Sequence, residues 1–120
     1  MAAFQPTILK RMEILKSDIA EIGKAKSFLI LFNGKELPAF VLNSKSGYVS
    51  YLNSCPHAFA PLDYDDDDFY YEPIDRIVCK VHGATFQTES GNCDSGPCAG
   101  QGLTKLKVEE KEGSVLISAP

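Results

Sequence analysis

Apolar residues along this chain come in short runs separated by turn residues, a pattern of strands rather than helices. The run Phe28-Leu29-Ile30-Leu31-Phe32 stops at Asn33-Gly34, a dipeptide that favours tight hairpin turns. Pro38 to Asn43 reads as the returning strand. Ser44-Lys45-Ser46-Gly47 predicts a second turn, and Tyr48-Val49-Ser50-Tyr51-Leu52 a third strand. Arg76-Ile77-Val78 and Ala84-Thr85-Phe86-Gln87 are short strand candidates. Leu106 and Val108 alternate with Lys105, Lys107 and Glu109, the period of a half-buried strand. Glu112-Gly113 then turns the chain into Val115-Leu116-Ile117. At the front, Met12 to Leu15 is another strand, and Ser17-Asp18 through Glu21 a single helical turn. No internal repeat and no long 3.6-residue period breaks the pattern, so the expected class is all-β.

Size and charge narrow the function. At 120 residues the chain is one domain, 1–120, with a modest core and no separate substrate domain. A net charge of -4 argues against nonspecific nucleic-acid binding, which needs a basic face, and suits a basic protein partner. Lys10, Arg11, Glu13 and Lys16 interrupt any apolar signal core. The longest aliphatic-aromatic run, Phe28 to Phe32, is far short of the roughly 20 residues a bilayer span needs. The expectation is a cytoplasmic protein with no membrane contact. In that reducing compartment its cysteines should be ligands or thiols rather than disulfides.

Two pairs then stand out, Cys55-Pro56-His57 and Cys79-Lys80-Val81-His82. Each offers a thiolate and an imidazole a residue or two apart, which suits two loop tips closing on one inorganic centre. Both histidines of the chain are used here. A Cys2His2 zinc site is the competing reading, although structural zinc sites usually pair like with like. For Cys93 and Cys98 the dull reading is preferred: buried small side chains beside Ser95-Gly96-Pro97. A local disulfide and extra metal ligation are its alternatives. The acidic run Asp63-Tyr64-Asp65-Asp66-Asp67-Asp68 reads first as solvated loop. It fails as a calcium loop, because position six is Asp68 rather than glycine and position twelve is Ile74 rather than glutamate. Tyr70 and Tyr71 beside it read as packing residues.

A Cys-x-His followed by a Cys-x-x-His resembles the Rieske iron-sulfur signature, in which two histidines replace two cysteines on one of two irons. The resemblance extends to Pro61-Leu62, as in C-P-H-x-x-A-P-L, and to Gly83 and Phe86, as in C-x-x-H-G-x-x-F. Ser90-Gly91-Asn92-Cys93 and Ser95-Gly96-Pro97 resemble the loop that screens the cluster. The likeness runs from about Met12 to Ser118, and the chain looks like a small soluble oxygenase-associated Rieske-type ferredoxin. One departure is the stretch 58–78, longer than a compact member needs, and the acidic run lies within it.

That resemblance implies a Rieske-like β-sandwich or barrel with an inserted cluster-binding lobe at about 53–88. It implies one [2Fe-2S] cluster per chain, with Cys55 and Cys79 on one iron and His57 and His82 on the other. The function implied is one-electron carriage from a reductase to a terminal oxygenase, not catalysis. No histidine is left for a mononuclear iron site. Alternatives are a small Rieske subunit of a larger reductase, such as a nitrite reductase, and a redox sensor. High-potential members resemble C-P-C-H-G-S-x-Y; here Ala84 and Phe86 replace the hydroxyl donors, and Ala60 and Val81 replace the cysteines of a disulfide between the two loops. Both absences imply a potential near the low end of the Rieske range. Partners are expected at the cluster tip, around His57, His82, Phe59, Pro61 and Pro97, with Asp65 to Asp68 steering a basic partner.

Overall fold

Ala39-Phe40-Val41-Leu42 is buried along its whole length, and the alternation of side chains across a strand sends it into two cores. Ala39 and Val41 enter a core with Ile14, Ile30, Leu106, Val115 and Ile117. Phe40 and Leu42 enter another with Tyr51, Leu62, Phe69, Ile77 and Phe86. This strand is the wall shared by a basal layer and the lobe that carries the cysteine-histidine pairs. The structure is a computed structural model that describes residues 11–56, 61–63, 66–80, 83–98 and 100–120.

Three antiparallel sheets make up the described fold. The first has the order β1-β10-β9, from β1 (Arg11–Leu15), β9 (Lys107–Glu110) and β10 (Ser114–Ser118). The second is β2 (Ala25–Phe32), β3 (Lys35–Ser44) and β4 (Gly47–Leu52), in that order. The third, in the lobe, is β5 (Tyr70–Tyr71), β6 (Arg76–Val78), β7 (Thr85–Gln87) and β8 (Cys93–Ser95). Leu52 N–H donates to Thr104 O at 3.0 Å and Leu106 N–H to Ser50 O at 2.9 Å, which joins the first two sheets.

The expected elements are present. Phe32 pairs with Lys35 across Asn33 and Gly34, both at positive φ (52° and 78°), so the two-residue hairpin forms as its dipeptide predicts. Ser44 pairs with Gly47 across the second turn. The single helical turn is a 3-10 turn at Lys16–Ile19, and it drives Ile19 into the basal core. Two strands of the lobe were not expected. β8 is Cys-Asp-Ser, with no apolar alternation, and forms only because β7 is there to pair with it, across a register shift at Thr85/Phe86. β5 likewise exists as the partner of β6. The lobe sheet therefore runs past residue 88, through Ser95.

Three contacts in particular bolt the lobe to the hairpin sheet. Phe40 stacks on Phe69 with ring centroids 3.9 Å apart and an interplanar angle of 6°. Tyr51 donates its phenol hydrogen to Thr88 O at 2.6 Å. Asp75 accepts from Ser46 Oγ at 2.6 Å and from the Tyr70 hydroxyl. Burial alone would raise Asp75, but hydrogen bonds from Ser46, Tyr70 and Thr88 outweigh it and hold the carboxyl below its usual range.

Candidate metal centre

Two loops bring the sequence-predicted cysteines together in the lobe core. β4 ends at Leu52, and Cys55 follows three residues later, fully buried. Asn53 shapes this first loop. Its Oδ1 accepts the Leu62 N–H at 2.7 Å, and its Nδ2 donates to Asp63 Oδ1 at 3.1 Å. One buried amide thus closes the far end of the loop onto its beginning. The second loop leaves β6 at Val78, and Cys79 is also fully buried. Cys79 N–H donates to Ala84 O, and Gly83 N–H donates to Cys79 O, each at 2.8 Å. This return needs φ of 73° at residue 83, which glycine adopts without strain. Lys80 N–H donates to Leu62 O at 2.9 Å and ties the two loops to each other.

Neither Cys55 nor Cys79 takes part in the disulfide between Cys93 and Cys98. They share one core with Leu62, Ala84, Phe86, Cys93 and Cys98. Two buried thiols on hydrogen-bonded loops are the soft donors that an iron-sulfur or zinc centre requires, so this half of the expected ligand set fits. His57 and His82 lie outside the described residues, as do Phe59, Ala60, Asp65 and Val81. Ala84 and Phe86 are fully buried against the same core and bring no hydroxyl to it.

The loop beyond β7 presses on this site. A Cβ at Gly96, whose φ is 102°, would stand 2.8 Å from Ala84 Cα, so only glycine allows the approach. Cys93 and Cys98 bracket that loop, and the dull reading of them is corrected: they form a disulfide with Cα atoms 5.9 Å apart. Both residues are buried, as expected. The compartment argument says nothing of the closed loop that brings the two Cα atoms within bonding reach.

The acidic run is not simply solvated. Lys80 Nζ pairs with Asp66 Oδ2 at 2.6 Å and with Asp68 Oδ2 at 3.1 Å. The Lys80 hydrogen bond holds Asp66 below its usual range, and Asp66 in turn raises Lys80. Asp67 accepts from the Ser27 hydroxyl, and its N–H donates to Asp63 Oδ2 at 3.0 Å. The insertion is therefore strapped between β2 and the residue next to Cys79. Of the two neighbouring tyrosines, Tyr70 packs in the core, but Tyr71 is 52% exposed.

Residues 13–111 match a family model described as the Rieske [2Fe-2S] domain. The chain belongs to the Rieske [2Fe-2S] domain family. The cofactor of this Rieske domain is accordingly a [2Fe-2S] cluster. Curated protein sequences offer no match. Solved structures do. The ferredoxin of carbazole 1,9a-dioxygenase from Nocardioides aromaticivorans IC177 is similar at 19% identity and a TM-score of 0.71, covering 89% of this chain and 94% of that one. A chain from the complex of reduced oxygenase and oxidized ferredoxin in carbazole 1,9a-dioxygenase is 25% identical, with a TM-score of 0.68, covering 90% and 92%. A quaternary ammonium Rieske monooxygenase matches at 19% identity and a TM-score of 0.64, but only over 30% of its length against 88% of this chain. The fold thus occurs as a small chain and as one part of a larger enzyme. Among the described residues no helix is long and apolar enough to cross a membrane.

Proposed function

We propose that this Rieske domain is a one-electron carrier, reduced by a reductase and oxidised by a terminal oxygenase, and not an enzyme in its own right. Cys55 and Cys79 hold the cluster through thiolates, and His57 and His82 hold it through imidazole nitrogens. The observation that carries the reading is the pair of buried thiols on two loops joined from Lys80 N–H to Leu62 O. The bound cluster supplies a site for a single electron. The protein's part is to keep that site still and dry. Asn53 and Gly83 fix the loop ends, and Ala84 and Phe86 close the core without offering sulfur a hydroxyl. Without a hydroxyl from either of these two residues, the extra negative charge of reduction is less stabilised. The potential then lies near the lower edge of the Rieske range of about -150 to +300 mV.

The ferredoxin and ferredoxin–oxygenase structures it resembles support an oxygenase as the acceptor. Partners dock at the cluster tip, where Pro61 and Pro97 are exposed, and the setting is cytoplasmic. A second reading, a relay within a larger reductase or oxygenase assembly, is favoured by the monooxygenase in which this fold is a minority of the chain. Co-purification of a large subunit separates the two. The decisive experiment is iron and acid-labile sulfide analysis with EPR after dithionite. Equal iron and sulfide with a Rieske-type signal is expected, and a colourless zinc protein overturns the proposal.

A further inference from the structure

The four expected ligands make no use of the Cys93–Cys98 disulfide, yet it lies one short chain of contacts from the second ligand loop. Its two cysteines bracket residues 94–97. Within that bracket Gly96 rests so close on Ala84 that a Cβ would meet Ala84 Cα at 2.8 Å. The carbonyl of Ala84 accepts the amide of Cys79 at 2.8 Å. On the other side, Cys93 N–H donates to Gln101 O at 2.8 Å and Gln101 N–H to Cys98 O at 2.9 Å, so the disulfide staples a closed loop. The two residues are not equivalent, since Cys93 is 7% exposed and Cys98 is fully buried.

We propose that Cys93–Cys98 is an exchangeable disulfide, a modification site for dithiol reductants, and that opening it releases the Gly96 loop from Ala84. Exchange begins with attack by a thiolate of the dithiol on the sulfur of Cys93, the less buried residue of the two. The S–S bond breaks, and the Cys98 sulfur leaves and takes up a proton. A mixed disulfide forms at Cys93. The reductant's second thiol resolves it, leaving with its own disulfide, and Cys93 takes up the second proton. Two electrons and two protons have then passed from the dithiol to the protein, an exchange a one-electron centre cannot perform in one step. With the loop released, water reaches the shoulder of Cys79. A wetter site stabilises the more negative reduced cluster, so the potential rises, and iron becomes easier to extract. This last consequence rests on the carrier reading; the exchange and the loosening do not.

The test uses the protein as purified. It is treated with dithiothreitol under native conditions, alkylated, and mapped by peptide mass. Hydrogen exchange across residues 83–98 is followed before and after, together with the rate of iron loss to a chelator. We expect one label on each of Cys93 and Cys98 only after dithiol treatment, reversal by diamide, several-fold faster exchange across 83–98, and several-fold faster iron loss. The double variant Cys93→Ser, Cys98→Ser should behave as the dithiol-treated protein. If that variant does not fold, the dithiol–diamide cycle on the natural chain decides alone. Native protein that dithiol leaves unlabelled overturns the proposal, as do labelled cysteines with unchanged exchange. Purified protein lacking iron overturns the carrier reading instead, while labelling and exchange still judge the disulfide.

Discussion

Asn53→Ala should be among the most damaging single changes outside the ligands. Two buried partners lose their hydrogen bonds: the Leu62 N–H, at a fully buried residue, and the Asp63 carboxylate. A buried donor left without an acceptor costs about 1–3 kcal/mol, and a bond to a charged group is worth about 1.5–3 kcal/mol. The two are not additive. Asp63 keeps the Asp67 N–H, and Asn53 borders surface clefts through which water reaches the gap. A loss of about 2–4 kcal/mol follows from these values. Unfolding entropy of roughly 2.1 cal/mol/K per residue over 120 residues converts each kcal/mol into about 4 °C of melting temperature, so a drop of about 8–16 °C is expected. Thermal unfolding followed by far-UV circular dichroism and by cluster absorption measures it. Absorption should also decay faster at a fixed temperature, because the loop carrying Cys55 has lost its closure. Asn53→Asp keeps the acceptor for Leu62 but places a second carboxylate against Asp63, so it should be no better than alanine. A drop below about 2 °C for alanine would refute the reasoning, since it would mean less than about 0.5 kcal/mol rests on this side chain.

Gly96→Ala puts a methyl group 2.8 Å from Ala84 Cα at a φ of 102°, so it should lower both melting temperature and iron content; equal values for the variant and the natural chain would contradict the close approach. Ala84→Ser with Phe86→Tyr should raise the potential by adding hydroxyl donors beside the core thiols, and voltammetry showing no rise would remove the account of a low potential. Asp66→Asn with Asp68→Asn removes two negative charges from around Lys80, the residue next to Cys79, so the potential should rise at low salt and the rise should shrink as salt screens it; a fall would reverse the argument. Hydrogen bonds from Thr85 and Arg76 hold Asp94 below its usual range, and Asp75 is held low as described above. Stability from these depressed groups is complete above about pH 4, near the ordinary aspartate value, and is lost as pH falls through their lowered folded values. Asp75→Asn with Asp94→Asn should therefore flatten the acid limb of a stability–pH curve, and an unchanged slope below about pH 4 would count against it.

What could be read along the chain was whatever acts locally or repeats. Asn33-Gly34 fixes its hairpin by its own backbone preferences, and the continuous apolar run in β3 marks a strand buried on both faces. The ligand pairs are legible because metal chemistry demands particular side chains at short spacing. The parts that stayed hidden depend on distant partners. β8 carries no apolar pattern and forms against β7. The role of Asn53 appears only once Leu62 is folded back onto it. Lys80, with Ser27 and Asp63, turns an apparently solvated acidic run into a structural strap. Nothing in the spacing of Cys93 and Cys98 distinguishes two thiols from a bond; their placement on either side of a loop pinned by Gly96 does.

The three bolts between lobe and hairpin sheet bear on how the molecule comes apart. Phe40 against Phe69, Tyr51 against Thr88, and Ser46 with Tyr70 on Asp75 each join a base residue to a lobe residue. Sub-global opening of the lobe would have to break all of them, and Phe40 and Leu42 of β3 would then lose their lobe-side core. Such an excursion removes much of what stabilises the base, so lobe and base make a single foldon rather than two. The slowest amide protons of the lobe and of β3 then share one exchange free energy, the global one. Loss of the cluster by opening of the lobe as a whole is then as rare as complete unfolding.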